Sequence, residues 1–210
     1  MTSETLIFDP RGDVTLILSR KPEASKAAPD SLPTNGTGPG LGEFLRTPVN
    51  MLVSSKHMSL ASSVFEAMLK PNFYEGSTLV SSGKVEISLP DDDPDLLAIL
   101  LNIIHGRNKK VPRVIGLDKL TGLTSLVDKY QMQEAIAAFA EIWIEGFNLN
   151  KETLTTERDL LRWLFISWVF ENGAIFERTS KDLMRIGDSE FDEGLVDELS
   201  IPEVVIGMDS

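Results

Sequence analysis

A chain of 210 residues with 42% apolar side chains can fold as one domain plus a smaller annex around a sizeable core. It has no cysteine, which excludes a disulfide framework and a thiolate zinc site and fits a reducing compartment. Its formal charge of −12, from 32 acids against 20 bases, repels phosphate backbones and argues against general nucleic-acid binding.

The N-terminus, MTSETLIFDPRGD, lacks a basic start followed by an apolar run of about 7–15 residues, so no secretory signal is expected. From Gly12 to Leu18, Val14, Leu16 and Leu18 alternate with Thr15 and Ile17, and this spacing predicts a strand buried on both sides. Ser19 to Gly42 then holds four prolines and four glycines and ends in GTGPGLG. Such a segment buries too little apolar surface to offset its ordering entropy, and a mobile insertion at 19–42 is expected. Pairing resumes over Phe44–Val53, with a second and third strand around Thr47–Pro48.

Met58, Ala61, Phe65, Met68 and Leu69 form the stripe of one core-facing helix that Pro71 stops. Val85, Ile87 and Leu89 alternate with Glu86 and Ser88, a half-buried strand. Asp93 is a suitable N-cap with Pro94 at the first helical position, and the neighbouring acids favour the positive helix end. Leu96, Ile99, Leu100, Ile103 and Ile104 make the apolar face of that helix. Two further helices are predicted over Leu117–Gln131 and Glu134–Ile144. Arg158–Phe170 is apolar on nearly all sides and reads as a covered central helix, and Glu177–Ile186 as a short last one. The run Leu160–Phe170, eleven residues broken by Arg162 and Ser167, is too short for a membrane span of about 20. From Gly187 to Ser210 there are eight acids and no Lys or Arg, the composition of a solvated tail.

Catalytic patterns fail residue by residue. His57 and His105 stand apart from any nucleophile elbow, and His105, at a helix end, reads as a partner for the helix dipole. Ser81 and Lys84 have Ser-x-x-Lys spacing without companion motifs. Gly83–Lys84 is followed by Val85, where a phosphate loop needs Ser or Thr. Asp91, Asp93 and Asp95 imitate the start of a calcium loop, but Leu96 and Asn102 occupy the places of its glycine and bidentate glutamate. Arg107, Lys109, Lys110 and Arg113 form a basic loop that reads as solvated. No cofactor, metal or catalytic residue is expected.

Four fragments in order resemble a BTB/POZ domain: Asp13–Val14, Met58…Ser62…Phe65, Asp91–Asp92–Asp93, and Leu126–Val127–Asp128–Lys129–Tyr130. The likeness covers roughly residues 7–147, and RDLLRWLFISWVFENGAIF resembles the extension of a large uncharacterised group of fungal BTB proteins. The resemblance implies an α/β (α+β) fold, a small sheet capped by helices. It divides the chain into a BTB/POZ-like domain at 1–147, a C-terminal helical extension at 148–186 and the acidic tail at 187–210. It also implies an intracellular protein-interaction module, nuclear or cytoplasmic.

Three departures narrow that implication. Ser54 and Ser55 stand where many members carry a basic pair, so the charged pocket that Asp13 would share with a cation lacks its partner. About eleven residues precede Gly12, too few for the helix that subunits exchange in repressor members, which argues against an obligate swapped dimer. The first hairpin, normally tight, holds the Pro/Gly insertion. Family adaptors of cullin-type ubiquitin ligases carry a hydrophobic-x-acidic triplet after the Phe-containing helix, and Phe73–Tyr74–Glu75 lies there. Either Phe73 anchors a cullin scaffold, or it covers the helix end while Glu75 is solvated. The alternatives to an adaptor are a scaffold pairing with itself or other BTB domains, a transcription-associated member without cullin binding and, most distantly, an enzyme.

Overall fold

The computed structural model describes residues 3–20, 47–147 and 156–186. The Pro/Gly-rich stretch beyond Arg20, the pairing expected from Phe44 to Arg46 and the acidic tail lie outside them. Four strands, β1 (Glu4–Ile7), β2 (Val14–Arg20), β3 (Thr47–Val53) and β4 (Val85–Ser88), form one mixed sheet in the order β1-β3-β2-β4. β2 and β3 are antiparallel, with Leu16 opposite Met51 and Arg20 opposite Thr47, so 21–46 connects the two strands of a hairpin. β1 is parallel to β3 and β4 parallel to β2.

Among the described residues eight α-helices cap this sheet: α1 (Ser55–Ala61), α2 (Ser63–Met68), α3 (Tyr74–Ser82), α4 (Pro94–Ile104), α5 (Leu117–Tyr130), α6 (Gln133–Gly146), α7 (Glu157–Val169) and α8 (Gly173–Ile186). The expected small sheet capped by helices, with a helical extension, is the observed architecture. No helix of the described residues is long and apolar enough to cross a membrane.

One core joins these elements. Val14, Leu16 and Leu18 of β2 and Val49, Met51 and Val53 of β3 are buried on one face, the period of two read in the sequence. Ile17 on the other face is half-buried. Leu160, Leu161, Trp163, Leu164, Phe165 and Ile166 of α7 belong to the same continuous cluster. Arg162 ties α7 to α5 through Asp118 and pairs with Asp159 in its own first turn. Phe147 meets Trp163 edge to face at 5.1 Å.

Several expectations are corrected. The single helix ending at Pro71 is two helices, because Ser62 leaves helical geometry at φ −146°, ψ 119°. Its hydroxyl accepts from the Phe65 N–H at 3.1 Å and donates to the Tyr130 carbonyl, so one side chain caps α2 and fastens it to α5. Within the stripe Met58 and Phe65 are buried, while Ala61, Met68 and Leu69 are half-buried. The two strands expected around Thr47–Pro48 are the single strand β3. The buried face of α4 is Leu97, Leu100 and Leu101, turned from the expected stripe, in which only Leu100 is fully buried. Strand β1 and helix α3 were not expected, and α8 begins at Gly173 rather than Glu177. Trp168 is not part of the core of α7: it is 44% exposed.

Candidate protein-interaction site

The chain leaves α2 at Leu69 and turns sharply before α3. The Phe73 N–H donates to the Lys70 carbonyl at 3.0 Å, and the Phe73 carbonyl accepts from the Ser77 N–H at 2.9 Å. Gly76 makes this turn possible: a Cβ there would lie 2.0 Å from the Lys70 carbonyl oxygen. Phe73 is therefore the N-cap residue of α3, with Tyr74 and Glu75 in its first turn. The carboxylate of Glu75 sits at the helix end where the dipole favours negative charge.

The triplet is brought to the surface together. Phe73 is 48% and Tyr74 78% exposed, while Glu75 is half-buried. No base among the described residues forms an ion pair with Glu75. Val80, 72% exposed, lies seven residues beyond Phe73 on the same helical face and extends its apolar strip. The sequence reading missed Val80 for want of the helix; the i, i+7 spacing from Phe73 was the available signal.

Three of the four fragments that carried the resemblance touch one another, and the fourth bonds to the start of α1. Asp13 accepts from the backbone N–H of Ser55 at 2.7 Å and from its hydroxyl at 2.6 Å. Ser55, in the position of a basic residue, is thus the partner that Asp13 was expected to lack. Phe65 stacks on Tyr130 with ring centroids 4.8 Å apart. The Tyr130 hydroxyl and the Lys129 ammonium both hold Asp92, whose side chain is almost wholly buried. Burial, reinforced by that carboxylate, pushes the Tyr130 phenol far above its ordinary pKa and keeps it a neutral donor.

The other polar residues have structural tasks. The Asp93 carboxylate accepts from the N–H groups of Asp95 and Leu96, the expected cap of α4. Asp95 takes the fork of Arg20, which also pairs with Glu4, so one guanidinium joins β1, β2 and α4. His105 is not a charged partner for the helix dipole. Its Nε2 accepts from the Ser54 N–H at 3.1 Å and its Nδ1 faces the Leu101 carbonyl at 2.9 Å, the contacts of a neutral ring. Exposed His57 stacks on it at 5.0 Å. In the basic loop, Arg107 donates to the Ile7 carbonyl and lies over Phe8, and Arg113 lies over Phe139. Among the described residues no three His, Asp or Glu side chains are grouped to hold a metal ion.

No protein-family model matches this chain, and no curated protein matches it.

Proposed function

We propose that this chain is a BTB/POZ-type protein-interaction module that works as an intracellular substrate adaptor, docking a cullin scaffold through Phe73, Tyr74 and Glu75. The observation that carries the reading is the presentation, at the N-terminus of α3, of an exposed aromatic pair and an acid that no described base pairs with. An aromatic side chain held in place loses little conformational entropy on binding and acts as an anchor once a partner's pocket desolvates it, worth about 2 kcal/mol or more. The order of strands and helices and the contacts among three of the four motif fragments support the assignment to this type.

Calorimetric titration with a cullin N-terminal domain tests the reading. Binding at micromolar affinity or better is expected for the full chain. Phe73→Ala combined with Glu75→Lys should abolish it while leaving the thermal unfolding midpoint within a few degrees, since neither side chain is in the core. Binding that survives both changes would remove the triplet from the interface.

A second reading, self-association or pairing with another such module, has one observation in its favour. β1 is an edge strand with Ile7 half exposed to solvent. Light scattering distinguishes the two: a mass of two or more chains in the absence of any partner supports the scaffold.

A further inference from the structure

A second surface, away from α3, has the chemistry of a peptide-binding groove. Where α7 turns into α8 against α6, two concave lobes of about 620 and 790 Å³ meet, sharing Gln133, Glu134, Val169, Glu171 and Gly173. Their apolar lining includes Ala140, Ile144, Val169, Phe170, Trp168 and Phe176. Trp168 leans on Phe176 with centroids 6.1 Å apart and keeps 44% of its surface exposed, although every other tryptophan is buried. Exposed tryptophan in a concavity is the residue type that most often dominates binding energy.

The charge around this groove has one sign. Asp128, Glu134, Glu141, Glu145 and Glu171 line its lobes, and among the described residues no Lys, Arg or His does. None of the five pairs with a base among the described residues. An apolar floor under a wholly acidic rim is complementary to a segment carrying both apolar anchors and cations. It disfavours an acidic segment by the same sign. Two left-handed residues shape it: among the described residues, Glu171 at the α7–α8 turn and Gln131 at the end of α5 are the non-glycine residues with positive φ, 53° and 51°.

We infer that the α6/α7–α8 groove is a docking site for a basic amphipathic segment of a partner protein, with Trp168 as its apolar anchor and the five carboxylates as its cation rim. The inference is independent of the cullin reading and supplies what an adaptor otherwise lacks, a surface for a client.

The probe is a synthetic amphipathic helix of Lys and Leu, with a counterpart in which Glu replaces every Lys. Trp143 and Trp163 are 1% exposed, so acrylamide quenching of the full chain reports chiefly on Trp168. The Lys peptide should protect Trp168 from quenching and the Glu peptide should not. Glu134→Gln with Glu171→Gln should weaken binding about tenfold, a loss of about 1.4 kcal/mol, whereas Glu86→Gln with Asp91→Asn, an equal change of charge outside the groove, should not. The Phe73/Glu75 double variant should bind the Lys peptide as the wild type does. Equal weakening by both charge variants would overturn the inference, because the attraction would then be that of the net charge. So would binding without protection of Trp168.

Discussion

Phe65 has no solvent exposure and lies flat on Tyr130, whose hydroxyl in turn holds Asp92. Phe65→Ala should therefore cost about 3–5 kcal/mol, the loss of a large side chain plus the cavity left behind. Urea denaturation measures it, and an unshifted midpoint would show that the core lies elsewhere. Ser62→Ala removes an N-cap and a donor to a buried carbonyl at once, and about 1–2 kcal/mol should be lost. Both residues stood out in the sequence, because Ser62 three places before Phe65 belongs to a fragment that carried the resemblance. What it could not show was the helix break at Ser62 itself. The apolar stripe runs through that position at unchanged period, and only the Tyr130 carbonyl, far away in sequence, fixes the geometry there.

Elements meet through a few polar joints, and one of these is sensitive to pH. The first turn of α1 is fastened to the end of α4 by the Ser54 N–H on His105 Nε2, which requires a neutral ring. Burial, helped by the nearby His57 and Arg107, holds the His105 pKa below its ordinary 6.5, against the weaker opposing pull of the Leu101 carbonyl and Asp9. The unfolded chain then takes up the proton first as pH falls. The stability from this joint is complete above pH 6.5 and is lost as pH drops through the folded value. Urea midpoints between about pH 7.5 and 5.5 should fall more for wild type than for His105→Gln, which cannot titrate; parallel profiles would refute the joint. Nothing in the sequence marks it, since a lone histidine beside Gly106 reads as a helix end. Helix α3 was illegible for a related reason: Ser77, Thr78, Ser81 and Ser82 are weak helix formers, and its place comes from packing against α2 and β4.

At the scale of the whole molecule, the sheet and the C-terminal extension share one continuous apolar cluster. A single calorimetric transition is expected, with the van't Hoff and calorimetric enthalpies equal, because α7 cannot leave without exposing Trp163, Phe165 and their neighbours on α5. Two separated transitions would make the extension an independent unit. The fold class was legible because β2 alternates at a period of two and because α5, α6 and α7, the most apolar late segments, are also the helices with the most buried residues. The apolar groove at the α7–α8 turn was not. Trp168 sits in a run of core residues and carries no mark of its own, so its exposure depends on how α8 folds back.

The central place of β2 has a consequence for synthesis. It pairs with β3 on one side and β4 on the other, and both follow it in the chain, the nearer across the connection at 21–46. As the chain leaves the ribosome, the second edge of β2 stays unpaired until Ser88 has been made, a wait of the order of seconds at about 5–20 residues per second. A strand so placed is the one a nascent-chain chaperone would shield first.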